Sequence, residues 1–391
     1  MRILRVAQDI FPDMIGGAPY HIHALSRDQA ERGHDITVLT ISKDDSKPAR
    51  EERAGYEIVR QSPKLDVFGN ELFSGTLRYL RNNDQYDVVH AHSHLFYSSN
   101  VAAAFARISD IPFAVTCHGL ISQRAPELIS RFHLGTAGRF TYNSADVTFC
   151  YTDVEREKLR DLGVDSDIEV IHNGIDSKRF SPTGDTHSRI AEAAGQTVIF
   201  VGRLVEGKRP QDVLSAFESV HDEHPSARLF FCGSGPMREE LEQETERAGI
   251  ANAVEFLGRV PYEEMPSVFR AADVFTIASR TEGFPRTVME SLACETPVVS
   301  TRLEQTAPVV KNAGEIVPVG DTAALADALS GLLTDPECLN RLGRNGREIV
   351  TSNYDWAETV EYTTQALERL DQSTIRNGRD KRTAEEAPQI Q

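Results

Sequence analysis

The feature that most constrains this chain is an alternation, set out twice in succession: short runs rich in Val, Ile and Phe, separated by longer stretches of helical periodicity. In the first set the runs are Ile3 to Ala7, Ile36 to Ile41, Tyr56 to Arg60, Asp87 to Ala91, Phe113 to Cys117, Val147 to Tyr151 and Glu169 to Ile171. Strands of a parallel sheet read this way because helices cover both of their faces, which leaves no reason for a polar side. From Asp176 to Gly195, Pro182, Gly184 and a polar run predict a linker. The pattern then resumes with Val198 to Gly202, Arg228 to Cys232, Val254 to Leu257, Val274 to Ala278, Pro297 to Ser300 and Gly314 to Val317. Helical stretches follow near Thr322 to Leu333, Glu337 to Val350 and Trp356 to Leu370.

The predicted fold is therefore α/β, two tandem doubly wound Rossmann-like domains. Residues 1–182 are expected to form the first and 196–353 the second, with 183–195 as linker, a last helix over 354–372 and a disordered tail over 373–391. Ligands of doubly wound sheets bind outside the carboxyl ends of the strands, and two such domains would offer a crevice between them. The residues that follow each strand are thus the candidates for function.

Charge narrows the partners. Fifty-nine Asp and Glu against 42 Lys and Arg leave a net charge of −17, a field that repels phosphate backbones, so nucleic acid is not an expected partner. Only 8 of the basic residues are Lys. Five scattered cysteines with no Cys-x-x-Cys spacing predict neither a disulfide framework nor a zinc module. With no signal-like start and no run of 18 apolar residues, the expectation is a cytoplasmic protein without a membrane span.

After the first strand, Gly16-Gly17 precedes a helix expected near Tyr20. Paired glycines there either let backbone N–H groups face an anion at a helix N-terminus or serve as punctuation alone. After the fifth strand, His118 stands at the expected crevice edge, either as a hydrogen-bonding or proton-carrying group or satisfying local backbone. In the second half, Arg203 and Lys208 flank a glycine turn at a helix start, either a guanidinium and an ammonium closing on a pyrophosphate or a solvated turn. Cys232-Gly233-Ser234-Gly235-Pro236 reads as a tight connection.

The most specific feature runs from Arg280 to Glu290. Glu282 sits on the loop after a strand and Glu290 inside the helix that Pro285 opens, with Gly283 and Phe284 between them. Carboxylates accept hydrogen bonds and do not donate them, so a pair at the two ends of a glycine loop suits the hydroxyls of a sugar and a ribose. His90, His92 and His94 alternate at the end of a strand and are either a structural cluster or a metal site lacking further ligands. Neither Gly-x-x-x-x-Gly-Lys-Ser/Thr nor Gly-x-Ser-x-Gly is present, which removes the main support for kinase-like and hydrolase chemistry.

From Met1 to about Leu370 the sequence resembles the family-four retaining glycosyltransferases, sugar-nucleotide-dependent enzymes of the GT-B fold. The resemblance lies in Gly16-Gly17 with Arg32-Gly33-His34, the segment Val170 to Asp176, Gly202-Arg203 with Lys208, and the order and spacing of Glu282 and Glu290. It implies that Arg203 and Lys208 bind the donor diphosphate, that Glu290 holds the ribose and that Glu282 faces the donor sugar beside the backbone of Gly283, Phe284 and Pro285. It further implies that Val260 borders the base, that His118 and the Gly16-Gly17 loop reach the sugar and phosphate, and that the last helix crosses back to the first domain. The chain departs from the family at Cys294 to Pro297 and at Thr301 to Pro308.

The expected reaction is retaining transfer of a hexosyl group from a nucleoside-diphosphate sugar, with a slight lean to a uridine diphosphate donor, to an acceptor hydroxyl in glycan, glycolipid or polysaccharide synthesis. No cofactor and no essential metal is expected, because two cations address the leaving diphosphate. A sugar-nucleotide epimerase of the same architecture and an inactive sugar-nucleotide-binding protein remain the alternatives. Between Leu120 and Phe140, Leu128, Ile129 and Phe132 mix with Arg124, Arg131, His133 and Arg139, either a helix packed on the sheet or a peripheral membrane contact carrying a lipid-linked acceptor.

Overall fold

Burial on both faces is what the apolar runs anticipated, and in the computed structural model each of them is a strand. The structure describes residues 1–385 other than 43, 45, 68–69, 73–74, 84 and 122–124, with the side chains of 127 and 373–385 left aside. The chain divides into two compact units, Met1–Asn173 with Glu358–Gln391, and Gly174–Ala357.

In the first unit eight strands lie side by side in the order Asp167–Val170, Val147–Cys150, Phe113–Thr116, Val88–His92, Arg2–Val6, Asp35–Ile41, Tyr56–Gln61 and Arg50–Arg53. All neighbours pair in parallel except the last, which is antiparallel. The sequence pattern missed Arg50–Arg53 and the hairpin of Leu65–Val67 with Asn70–Leu72, since neither has a buried face to mark it. Arg50–Arg53 is an edge strand, a position where charge protects against further pairing. It is held by ions: Arg60 bonds Glu51 at 2.7 Å and Asp13 at 2.9 Å, and Lys47 reaches Asp13 at 3.1 Å.

The helix Trp356–Glu385 enters this unit at Glu358 and packs Ala366 and Leu367 against Ile3, Ile36 and Val38. A polar chain reinforces the contact: fully buried Arg5 donates to Ser26 Oγ at 2.7 Å and to Gln29 Oε1 at 2.5 Å, and Gln29 donates to Thr364 Oγ1 at 2.9 Å. Burial pulls the Arg5 guanidinium down to about 9.

The second unit holds six parallel strands in the order Val254–Gly258, Arg228–Cys232, Thr197–Val201, Val274–Ile277, Val298–Thr301 and Gly314–Val317. Thr322–Thr334, Pro336–Asn353 and the start of the last helix follow.

Two expected boundaries shift. The first unit ends at Asn173 and not at 182, because Ile175, Phe180 and Ile190 are buried in the core of the second unit. Three apolar side chains in a polar stretch carry too little periodicity to reveal this, and the expected linker includes the helix Ser188–Ala191. The tail expected to lack structure over 373–391 is helical to Glu385, while 386–391 lie outside the described residues. Once a packed segment has nucleated a helix, each further residue adds a hydrogen bond at little cost, and no proline intervenes before Pro388.

Glu155 gives the first unit a testable pH dependence. Thr152 caps the helix Asp153–Asp161 through Glu155 N–H, and the Glu155 side chain, 1% exposed, accepts from Tyr151 N–H at 2.8 Å through one oxygen while the other has no partner. Burial raises this carboxyl to about 7. The unfolded chain releases that proton near the ordinary carboxyl value and the folded chain only near 7, so stability falls as pH rises through this window. Glu155→Gln keeps the acceptor and removes the charge. Its stability relative to the parent is expected to improve by about 2 kcal/mol between pH 5 and pH 8 in urea titrations. Parallel curves at the two pH values would refute the assignment.

Candidate functional site

In the second sheet the chain runs outward from Thr197–Val201 through Arg228–Cys232 to Val254–Gly258, then returns on the other side at Val274–Ile277. The loops leaving Val201 and Ile277 therefore flank the point where the winding reverses, the place at which doubly wound sheets take ligands. These two loops carry the sequence candidates.

The first loop bears Arg203, which is exposed, and Lys208, which lies on the single turn Glu206–Lys208. Its shape is imposed from both ends. Arg209 has a left-handed φ of 52° and clamps Asp212 through Nε at 2.5 Å and Nη2 at 3.0 Å, and Pro210 opens the helix Pro210–Glu223. On the other side, a Cβ on Gly233 would stand 1.8 Å from Gly202 O, and one on Gly235 would stand 2.2 Å from Leu204 O. The Gly233-Ser234-Gly235 turn is thus the close connection that the sequence suggested, and it supports the loop by backbone contact.

The second loop meets the first. Arg280 N–H donates to Gly207 O at 3.1 Å, and Lys208 Nζ forms an ion pair with Glu282 Oε1. The two side chains are 18% and 8% exposed, so the pair is shielded from water without being sealed from it. Gly283 and Phe284 continue the loop, Phe284 stacking on Tyr354 at 6.0 Å, and Pro285 precedes the helix Arg286–Ala293.

Glu290 is the fifth residue of that helix and only 3% exposed. Tyr262 Oη donates to its Oε1 at 2.7 Å, and Arg286 Nε stands 3.6 Å from the same oxygen while Arg286 Nη1 donates to Gly174 O at 3.0 Å. Arg179 lies 4.5 Å over the Tyr262 ring and donates to the Tyr262 carbonyl at 2.8 Å. Burial raises the Glu290 carboxyl above its ordinary range, against the opposing pull of Arg286, Tyr262 and Arg179. Val260 is partly buried and packs against the core of the second unit. The Arg286–Glu290 spacing of four along a helix is legible in sequence. Nothing in the sequence pointed to Tyr262 or Arg179, which topology alone delivers to the carboxylate.

The remaining candidates belong to the first unit. Gly17 begins the helix Gly17–Glu31, three residues before the expected start, and both Gly16 and Gly17 are exposed. Gly16 is extended, with a φ of 162°, and a Cβ there would meet only Pro19 at 3.5 Å, so neither conformation nor packing within the chain calls for glycine at that position.

His118 has both ring nitrogens engaged: Nε2 with His92 Nδ1 at 2.9 Å and Nδ1 with Tyr151 Oη at 2.8 Å. His21, whose Nδ1 bonds Asn173 Oδ1 at 2.9 Å, packs edge-on against it. Burial lowers the His118 imidazole to about 3 and holds His90 and His92 well below the ordinary value. The ring therefore acts at neutral pH as an uncharged hydrogen-bonding group, not as a carrier of positive charge. Each member of the alternating set has its own partner, His90 Nε2 with Thr116 Oγ1 at 2.8 Å and His94 Nδ1 with Tyr142 Oη at 2.7 Å. Among the described residues no three His, Cys, Asp or Glu side chains are placed to hold one metal ion.

Comparison with known proteins follows the two-unit division. Residues 15–179 match Glycosyltransferase Family 4, and residues 188–349 match Glycosyl transferases group 1. The glycogen synthase of Mycobacterium tuberculosis is 28% identical over 394 residues, which cover 93% of this chain and 94% of that protein. A D-inositol 3-phosphate glycosyltransferase of Corynebacterium urealyticum is 30% identical over 308 residues, 73% of this chain and 72% of the relative. The structure of HepE from Anabaena in complex with UDP-glucose matches with a TM-score of 0.79 at 20% identity, over 94% of this chain and all of that one.

Proposed function

The chain belongs to the family-four glycosyltransferases, and from that premise we propose that it moves a hexosyl group from a nucleoside-diphosphate sugar to an acceptor hydroxyl with retention at the anomeric carbon. The epimerase and inactive-binder readings give way to a transferase, since the relatives bear the names of glycosyl-transferring enzymes along most of their length. The single observation that carries the site assignment is the Lys208–Glu282 pair at the winding reversal of the second sheet.

In this reading Lys208 and Arg203 address the diphosphate. As the bond from the anomeric carbon to the phosphate oxygen breaks, negative charge grows on the leaving group, so cations already fixed there favour the transition state over the ground state. Lys208 is fixed by Glu282, which turns its second oxygen to a sugar hydroxyl, while the N–H groups of Gly283 and Phe284 face the same ligand. Glu290, oriented by Tyr262 and Arg286, accepts from the ribose hydroxyls. The acceptor oxygen forms its bond to the anomeric carbon on the face the diphosphate leaves, and its proton passes to a phosphate oxygen. Charge on the leaving group is met by protein cations, so the proposed reaction needs no divalent metal.

A uridine diphosphate sugar is the first donor to test, supported by the name of the HepE complex. The acceptor is proposed to be a sugar or a lipid-linked hydroxyl, and the setting the cytoplasm, in keeping with five cysteines that all remain free. The test is proton NMR of the glycoside formed from an α-linked donor in the presence of EDTA. An α-linked product at an undiminished rate is expected. A β-linked product would overturn retention, and loss of transfer restored by a divalent cation would overturn the metal-free assignment.

A further inference from the structure

Residues 127–143 form one continuous helix, Glu127–His133, a π turn over Leu134–Gly138, and Arg139–Asn143. One side is anchored: Ser130, Leu134, Gly138, Thr141 and Tyr142 are buried, and a Cβ on Gly138 would stand 2.6 Å from the His94 ring. The outward side inverts the usual rule for a surface helix. Leu128 is 81% exposed and Phe132 73%, with Ile129 at 45% and Phe140 at 42%. Leu128 and Phe132 are one turn apart and share a face. A π turn winds fewer degrees per residue than an α turn, which brings Phe140 back toward that face when an unbroken α-helix would carry it away.

The charge on this surface is equally one-sided. From residue 128 to residue 145 the sequence holds no Asp or Glu, in a chain with 59 of them, while Arg131 and Arg139 are exposed, Arg139 donating through Nε to Gly163 O at 3.0 Å. Arg124, which the sequence pattern included, lies outside the described residues. We propose that this helix face docks on an anionic lipid surface, the apolar side chains entering the headgroup boundary and the arginines meeting lipid phosphates. A chain of net charge −17 is repelled by such a surface everywhere except at a local cationic patch, so an acid-free amphipathic stretch has a purpose here that it lacks on a face meeting only water. A second copy is the poorer occupant, since a two-fold contact through this face would set like charges against each other. Among the described residues no helix is long and apolar enough to cross a membrane, so attachment would be peripheral. The inference deepens the proposed transfer by giving its acceptor hydroxyl to a lipid-linked molecule, and it rests on that reading for its meaning but not for its test.

The full-length protein is sedimented with vesicles of phosphatidylcholine alone and of phosphatidylcholine with phosphatidylglycerol. At least tenfold tighter binding to the anionic vesicles is expected, and 0.5 M salt should weaken it. Leu128→Ser with Phe132→Ser should lower binding more than tenfold, and Arg131→Glu about tenfold, with melting temperature and UDP binding unchanged. Equal binding to both vesicle types, no binding to either, or full binding by the double variant would overturn the proposal. So would a monomer–dimer equilibrium that only the double variant loses. Vesicle binding with no glycosyl transfer to any acceptor would leave this inference standing while removing the reaction.

Discussion

Lys208→Met is expected to lower kcat/KM for the sugar nucleotide by about 10²–10³-fold, the range seen when one preorganised charge-stabilising group is removed from a transition state. Methionine keeps the four-atom stem of the side chain and ends where the ammonium begins, so the change isolates the ammonium. The loss has two sources. The diphosphate forfeits a cation whose worth grows as the bond breaks, which should appear mainly in kcat. Glu282, 8% exposed, also loses the group that orients it. A double-mutant cycle separates these: Glu282→Gln alone should cost a similar factor, and the two together should cost clearly less than the product of the single losses, because each removes the same contact. Wild-type kcat/KM in both single variants would remove the pair from the site.

Glu290→Gln is expected to act on binding. A hydrogen bond to a charged acceptor contributes about 1.5–3 kcal/mol, so the donor Kd should rise roughly ten- to a hundredfold with a smaller change in kcat. Tyr262 and Arg286 hold the carboxylate, and Arg286 retains Gly174 O and the face of Trp356 when the charge is gone, so the helix should survive the substitution. Titration with UDP and with its 2′-deoxy analogue assigns the effect to the ribose. The parent should prefer UDP strongly and the variant should discriminate little. Equal discrimination by both proteins would place the ribose elsewhere.

The strands were legible because a strand buried on both faces has no choice but to be apolar, and from Ile3 to Val317 each apolar run became one. What the pattern missed has a physical reason in each case. Arg50–Arg53 is stabilised by ion pairs with Arg60 and its neighbours, which look like surface charge in a string of letters. Phe180 and Ile190 are too few and too far apart to announce the core they enter. Within the site, Glu282 and Glu290 stood out because a glycine loop and a helix start fix their spacing, and Lys208 because lysine is scarce. Arg179 and Tyr262 come from segments 111 and 28 residues away from Glu290, and no local rule connects them. His118 was visible as a residue but its state was not. That Tyr151 and His92 occupy both of its nitrogens follows only from how three neighbouring strands align.

The most direct measurement is a crystal structure of the enzyme with a non-transferable fluoro-sugar analogue of its donor. The diphosphate is expected within hydrogen-bond distance of Lys208 Nζ and the Arg203 guanidinium, a sugar hydroxyl on Glu282, and both ribose hydroxyls on Glu290. An analogue bound with its phosphates away from Lys208, or with its ribose away from Glu290, would contradict the account.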